Sequence, residues 1–308
     1  GMCSKTYVKP TISDIRVPMG RQQRALYTHF SNLQNVPGGK TPRVRYGKQI
    51  SLLRAVCASP AGQVFHSVNE SRMPVVTNPY NPKVVAALEL VADILSRGEQ
   101  VIIVNSRHSL TNVLHDVISK AGVPCSRIDS SVNVNDHSTQ SQLFKDGKTR
   151  VMFMGIKCAQ GHSYPACPNL VICSLEYSNG SLEQAIGRND RLNSVRVPSI
   201  YAILCKGSIE ERMFDVVATK DDAAKICLRG QRVARDFKPV ELTEILAQSI
   251  LDSSAQSYDV EDEDECIKAV PSIIDRLTNA AHSTMYGSHI ATNRHEQTHT
   301  RQTVPQAC

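Results

Sequence analysis

Long apolar runs, a secretion signal and paired cysteines are all missing from this chain of 308 residues. No apolar run approaches the roughly 20 residues that cross a membrane, and the polar N-terminus lacks a signal-peptide pattern, so we expect no membrane partner. The ten cysteines form no C-x-x-C pair, and several lie in apolar stretches, as buried reduced thiols do. This pattern argues against a disulfide framework or a zinc site. It predicts an intracellular protein, with the cytoplasm, the nucleus and a viral origin all open.

Acidic residues are sparse in most of the chain and concentrated near its end. All but four of the 35 Lys and Arg residues precede residue 251, whereas nine of the 29 Asp and Glu residues follow it. A basic body with an acidic tail predicts a polyanion partner for the body. Ordinary surface charge with a solubilising tail is the alternative. The 41% hydrophobic content is enough for one large domain or two smaller ones.

Short apolar segments alternate with helix-like segments between residues 81 and 235. Apolar runs of this kind are typical of buried parallel strands, and the strand candidates are Val101–Val104, Cys125–Asp129, Arg150–Gly155, Asn169–Leu175 and Ser199–Cys205. The helix candidates are Pro82–Arg97, Leu110–Ala121, Asn135–Lys145 and Ser181–Arg191. This alternation predicts an α/β fold of three layers, a parallel sheet with helices on both faces. Functional residues are then expected at the carboxyl ends of the strands.

The segments on either side of this alternation have a different character. Before residue 79 we predict helices at Arg21–Phe30 and Ile50–Cys57, separated by a basic loop at residues 37–48. After residue 235 we predict one helix, Glu241–Leu251, followed by an acidic and largely disordered tail. The predicted divisions of the chain are therefore 1–78, 79–235 and 236–308.

One segment, Gln184–Arg191, carries the most informative pattern and reads Q-x-x-G-R-x-x-R. Arg188 and Arg191 lie three residues apart and so share one face of a helix, while Gly187 lets a neighbouring backbone approach closely. Paired guanidinium groups on a rigid helix suit a phosphate whose charge grows during transfer. A solvated helix with two surface arginines is the alternative.

Seven segments in order resemble motifs of the superfamily-two helicases, most closely the C-terminal RecA-like lobe of the Swi/Snf-type translocases. These segments are residues 15–27, Leu52–Pro60, Gly98–Ser106, Arg127–Ser131, Gly155–Ser163, Gln184–Arg191 and Lys206–Arg212. The second is similar to the family's LRQICNHP helix, the fourth to RLDGS and the last to KGTIEE. The resemblance implies a RecA-like lobe over residues 79–235, acting as the C-terminal half of an ATP-dependent DNA translocase or helicase.

The resemblance also implies how this lobe would meet a nucleotide. Arg188 and Arg191 would be catalytic arginine fingers, reaching the γ-phosphate of an ATP that is bound on another lobe. Gln184, Gly187 and Gly161 would lie on the nucleotide side of the lobe, with Gln184 oriented near the same phosphate.

A first lobe that could hold the nucleotide is not recognisable in the sequence. The G-x-x-x-x-G-K-[ST] loop that cradles phosphates has one poor candidate, Gly39-Lys40-Thr41, which no apolar strand precedes and which we interpret as a basic loop near DNA. We therefore expect ATP and Mg²⁺ to be held mainly by a Walker-motif lobe, in the same protein or in a separate chain. This chain alone is predicted to be inactive. The H-E-x-x-H sequence at residues 295–299 has no core nearby, so we predict no metal site.

On the nucleic-acid side, the resemblance implies contacts to the backbone of a DNA duplex from five residues. They are Ser106, Arg107, Ser130, Gly155 and Lys157. Contacts of this kind position a duplex without reading its sequence. Two of these residues depart from the family pattern, since Gly155 stands where the family usually has Thr and Ser130 where it has Gly.

A third departure is Ser163, which replaces an acidic residue or Asn of the family motif. The substitutions at Gly155 and Ser163 motivate a second hypothesis, a non-catalytic nucleic-acid-binding or scaffolding protein that kept the lobe fold. A third hypothesis, a phosphoribosyltransferase, rests only on Asn105-Ser106 following the apolar run Val101–Val104 and ranks last.

Overall fold

Six parallel strands form one sheet in the computed structural model, which describes residues 12–32, 42–61, 73–158, 163–174, 198–215 and 260–298. The strands in chain order are β1 (Ile12–Val17), β2 (Met19–Gly20), β3 (Val101–Asn105), β4 (Cys125–Ile128), β5 (Val151–Gly155), β6 (Asn169–Ile172), β7 (Ser199–Cys205) and β8 (Val260–Glu261). The spatial order of the main sheet is β1-β7-β6-β3-β5-β4, and every neighbouring pair is parallel. Strands β2 and β8 pair separately.

Helices cover both faces of this sheet. They are α1 (Arg21–Ser31), α2 (Pro42–Ala58), α3 (Pro82–Ser96), α4 (His108–Lys120), α5 (Val134–Lys145) and α6 (Glu263–Thr298). Apolar side chains of α1, α2 and α5 pack on one face, and those of α3, α4 and α6 pack on the other. Strand β3 is buried along its whole length because both of its faces are covered. The predicted three-layer α/β fold is confirmed.

The strands and helices predicted between residues 81 and 174 and from 199 to 205 are present, with bounds shifted by a few residues. Helix α3 begins where the sequence predicted, because Asn81 accepts a hydrogen bond from the Val84 amide at 3.0 Å and Pro82 needs no hydrogen-bond acceptor at the first turn. The predicted helices Ser181–Arg191 and Glu241–Leu251 lie outside the described residues.

The N-terminal segment contributes to the main sheet, which the sequence did not predict. Strand β1 adds to the outer edge of β7, with Ile12 opposite Ile200. Helix α2 starts at Pro42, so the expected basic loop at residues 37–48 is wrong for residues 42–48, which are helical. The division of the chain at residue 78/79 stays a prediction.

The acidic tail is also different from the expectation. Residues 263–298 form helix α6, and Cys266, Val270, Ile273 and Leu277 are buried against α3 and α4. These positions recur at the helical period, a signal that the neighbouring acidic residues obscured. The prediction of a disordered tail is therefore wrong for this helix. Among the described residues, none of the helices combines the length and apolar character that a membrane crossing requires.

Candidate functional site

A cleft of about 400 Å³ opens at the carboxyl edge of the sheet. All five residues that the resemblance assigned to nucleic acid line it, namely Ser106, Arg107, Ser130, Gly155 and Lys157. They are far apart in the sequence, so their meeting in one cleft is a result of the fold. The sequence prediction placed functional residues at this edge, and the cleft lies there.

Strand order explains the convergence. Strands β3, β5 and β4 are neighbours, and each ends just before a cleft residue. Because parallel strands end at the same edge of a sheet, the turns that follow them are adjacent. Lys157 lies in a short 3₁₀ helix, Ile156–Cys158, that follows β5, and its side chain is exposed. Helix α4 begins at His108 in the cleft wall, which brings the positive end of the helix dipole to the same place.

Among the described residues that line the cleft, the one carboxylate is Asp129, and its charge is compensated by neighbouring groups of the protein. Arg127 Nε donates to its Oδ2 at 2.7 Å, and the Ser131 amide and hydroxyl donate to its Oδ1 at 2.9 and 2.5 Å. Burial alone would raise the pKa of Asp129, but the hydrogen bonds from Ser131 and Arg127 outweigh it and lower the pKa below the usual value. The carboxylate stays charged at neutral pH and its charge is already paired, so the cationic side chains of Arg54, Arg107 and Lys157 set the electrostatics of the cleft.

Two side chains in the cleft wall were missed by sequence reasoning. Arg54, on α2, donates from Nη2 to Ser106 Oγ at 3.2 Å, and His108 Nε2 lies 2.9 Å from Ser130 Oγ. Arg54 belongs to the segment that resembles the LRQICNHP helix, but it lies 52 residues from Ser106 in the chain. Only the packing of α2 against the lobe brings the two together.

The glycine that replaces the family's threonine has a structural reason. A Cβ atom at Gly155 would lie 3.0 Å from Asp129 Cβ and 3.4 Å from Asp129 Cα. The residue that follows β4 lies so close to the end of β5 that Asp129 would have to shift to make room for a side chain here. A side chain at residue 155 would therefore crowd the Cβ and Cα atoms of Asp129.

Replacing Gly155 with Thr is expected to destabilise the protein by about 1–3 kcal/mol, because overpacking a tight contact forces the backbone or the neighbour to shift. Gly47→Ala is the matched control, since nothing lies within 4 Å of a Cβ at this helical position. The control should be neutral or slightly stabilising. Thermal unfolding followed by circular dichroism measures both, and a Gly155→Thr protein as stable as wild type would contradict the crowding.

The residues predicted for the nucleotide side lie outside the described part of the chain. They are Gly161, Gln184, Gly187, Arg188 and Arg191. Their roles stay predictions.

A buried ion pair lies in the core near the carboxyl ends of β6 and β7. Lys83 and Glu210 have side chains that are 0% and 3% exposed, and Lys83 Nζ lies 2.7 and 2.5 Å from the two carboxylate oxygens. Lys83 also donates to the Cys173 carbonyl at 3.1 Å, and Glu210 accepts from the Cys205 amide at 3.0 Å. The pair therefore joins α3 to the ends of β6 and β7 and to the KGTIEE-like turn.

The same region holds the one cluster of potential metal ligands among the described residues, which comprises Cys57, Cys205 and Glu210. The Lys83 ammonium already binds both oxygens of Glu210. Complete burial raises the pKa of the Cys57 thiol well above its usual value, and metal ligation needs the thiolate. The cluster therefore does not suit a metal ion.

Comparison with known proteins gives a family match and a fold match. Residues 83–193 match the model of the helicase conserved C-terminal domain. The chromatin-remodeling ATPase INO80 of Saccharomyces cerevisiae is 22% identical over 161 residues, covering 51% of this chain and 11% of the relative. The human INO80 protein (Homo sapiens) is 22% identical over 160 residues, covering 51% of this chain and 10% of the relative.

A third relative is the SNF2 domain-containing protein ENL1 of Oryza sativa subsp. japonica, 17% identical over 162 residues, which cover 52% of this chain and 16% of that protein. The chain thus spans only about a tenth to a sixth of the length of these relatives. Among solved structures, the C-terminal part of the Fun30 ATPase domain superposes with a TM-score of 0.56 at 15% identity, over 79% of this chain and 96% of that one. The family match includes β3, β4 and β5, the strands that end at the cleft.

Proposed function

We propose that this chain, which carries the C-terminal RecA-like lobe of the Swi/Snf-type superfamily-two proteins, is the second motor lobe of an ATP-dependent DNA translocase or helicase. In this role it would grip the DNA backbone through the cleft at the carboxyl edge of the sheet. It would also supply Arg188 and Arg191 to an ATP held on a first lobe. The observation that carries the proposal is the meeting of Ser106, Arg107, Ser130 and Lys157 in that cleft.

The chemistry of the cleft suits a phosphodiester backbone. Arg107 and Lys157 provide positive charge, Ser130 provides a hydroxyl, and the carboxylate of Asp129 is already paired. Arg and Lys side chains, hydroxyl groups and helix N-termini are the usual protein ligands of nucleic-acid phosphates. Such a surface holds any sequence equally, which is what a motor that moves along DNA requires.

The relatives support DNA and ATP as partners. INO80 is a chromatin-remodeling ATPase, and chromatin presents its remodelers with duplex DNA. The proposal accordingly places this chain inside the cell, where DNA and ATP are both present.

In this proposal ATP and Mg²⁺ are bound between this lobe and a first lobe, and not by this lobe alone. Within the described residues no strand is followed by a G-x-x-x-x-G-K-[ST] loop and a helix. Groups that hold the β-phosphate and Mg²⁺ would then come from the first lobe, in the same protein or in a separate chain. Arg188 and Arg191 would stabilise the charge that develops during phosphoryl transfer, with Gln184, Gly187 and Gly161 beside them. Opening and closing of the two lobes would move them along DNA.

A scaffold that binds nucleic acid without hydrolysing ATP is the second candidate. The observation behind it is that Gly155, which has little room for a Cβ atom, stands where the family usually has a threonine hydroxyl. Both candidates predict DNA binding, so ATP hydrolysis separates them.

DNA binding through the cleft is tested by replacing Lys157 with Ala. We expect the affinity for a short DNA duplex to fall by about tenfold, and the slope of log affinity against log salt to fall by about one, because one phosphate contact is lost. Fluorescence anisotropy of a labelled duplex over a salt series measures both. Arg97→Ala is the matched control, since this exposed arginine pairs with Asp93 and Glu99 at the opposite end of the sheet. Equal losses for the two variants, or a salt-independent affinity, would overturn the proposed interface.

A further inference from the structure

We infer that Arg54 is a phosphate ligand in the cleft and that Ser106 is a positioning residue which holds it there. This inference rests on the proposed DNA contact and assigns new roles within it. The family resemblance implied a direct DNA contact from Ser106 and none from Arg54. The direction of the hydrogen bonds around Ser106 favours the opposite arrangement.

Asn105 fixes the direction of this network. Its Nδ2 donates to the Arg107 carbonyl at 3.0 Å, and its Oδ1 accepts from the Arg107 amide at 3.2 Å. A backbone carbonyl only accepts and a backbone amide only donates, so the orientation of the Asn105 amide is determined. Its Oδ1 therefore faces Ser174, whose Oγ lies 2.5 Å away. The Ser174 hydroxyl must donate its hydrogen to Asn105.

The Ser106 hydroxyl therefore donates its hydrogen to Ser174. The only hydrogen of the Ser174 hydroxyl is donated to Asn105, so Ser174 Oγ accepts from the Ser106 amide at 2.6 Å and from the Ser106 hydroxyl at 2.8 Å. Phosphate oxygens of a phosphodiester only accept hydrogen bonds, and Ser106 has no hydrogen left to donate to one. What its oxygen still offers is a lone pair, and Arg54 Nη2 donates to it at 3.2 Å.

This network positions the guanidinium group of Arg54 in the cleft. Its side chain is half-buried and lines the cleft together with Arg107 and Lys157. A guanidinium presents several N–H donors in a rigid fork, which matches the oxygens of a phosphate. Holding one arm of the fork on Ser106 reduces the side-chain freedom that binding would otherwise remove. Because Arg54 comes from α2, the N-terminal segment takes part in the interface.

The inference is tested by a double-mutant cycle of Arg54→Ala and Ser106→Ala, measured as affinity for a labelled DNA duplex over a salt series with the full chain. We expect Arg54→Ala to weaken binding about tenfold and to lower the salt slope by about one. Ser106→Ala should weaken binding about threefold with an unchanged slope, because the charge remains and only its position is lost. In the Arg54→Ala background, Ser106→Ala should have no further effect.

Ser174→Ala provides an independent second variant, since Ser174 is buried and does not line the cleft. It should also weaken binding about threefold, and only when Arg54 is present. Independent, multiplying effects of Arg54→Ala and Ser106→Ala would show that Ser106 contacts DNA directly, and an Arg54→Ala protein with wild-type affinity would exclude Arg54. If Lys157→Ala weakens binding while Arg54→Ala does not, the inference fails and the proposed function stands. If neither weakens it, or wild type does not bind, both fail.

Discussion

Replacing Glu210 with Ala is expected to destabilise the protein by about 3–5 kcal/mol, because it leaves the ammonium of Lys83 buried without a counter-charge. The Lys83 side chain is 0% exposed and cannot reach water without breaking the packing around it. A loss of this size is a large fraction of the stability of a typical domain. Urea unfolding followed by circular dichroism measures it.

The pH dependence of this effect follows from the same pair. Burial works against the charged form of Lys83, but the nearby Glu210 carboxylate outweighs it and raises the pKa of Lys83 above its usual value. A raised pKa in the folded protein means that the stabilisation is fully present below the unfolded pKa of about 10.4 and is lost only as the pH rises through the folded value. The contribution of the pair to wild-type stability should therefore not change between neutral pH and pH about 9. In Glu210→Ala, burial without the carboxylate disfavours the charged ammonium, so the cost of this substitution should diminish as the pH rises towards the unfolded pKa of lysine.

Two further variants make the test specific. The double variant Lys83→Met with Glu210→Leu should recover much of the loss, because apolar residues of similar size can replace a buried ion pair. Asp93→Ala, which breaks an exposed pair with Arg97, should have a much smaller effect. A Glu210→Ala protein that unfolds at the wild-type urea concentration would contradict the role assigned to the pair.

The second large effect concerns hydrolysis. With the first lobe present, Arg188→Ala is expected to lower the DNA-stimulated ATPase rate by about 10³-fold or more, the range measured when an arginine finger is removed. Arg191→Ala should act in the same direction. Phosphate release is measured with saturating duplex DNA, either in the two-lobe protein or after adding the separate first-lobe chain. Arg97→Ala serves as the control, since Arg97 is a surface residue that pairs with Asp93 and Glu99.

The outcomes separate the two candidate functions. An ATPase rate unchanged by Arg188→Ala would favour the scaffold. The 308-residue chain alone should show no turnover, with or without DNA, because it has no recognisable loop for the β-phosphate. DNA-stimulated turnover by this chain alone would contradict the proposal of a half-motor and would indicate that Gly39-Lys40-Thr41 belongs to a phosphate-binding loop.

The sequence predicted the central strands and the cleft for a clear physical reason. Strands β3 and β5 are apolar because both faces are covered, and parallel strands bring the residues that follow them to one edge. Strand β1 was missed because an edge strand with Asp14 and Arg16 exposed lacks an apolar run. Arg54 was missed because its contact with Ser106 is purely tertiary. Helix α6 was missed because charged residues outnumber apolar ones at its start.

Strand β1 also determines at which residue an excised lobe should begin. With β1 removed, β7 would become the edge of the sheet, and its apolar residues Ile200–Cys205 would expose a row of unpaired amide and carbonyl groups. Bare apolar edges of this kind pair with other chains and aggregate. In the intact protein, the charged side chains of Asp14 and Arg16 lie on the outermost strand instead. An excised lobe that begins at residue 79 would lose this protection, whereas one that begins before Ile12 would keep it.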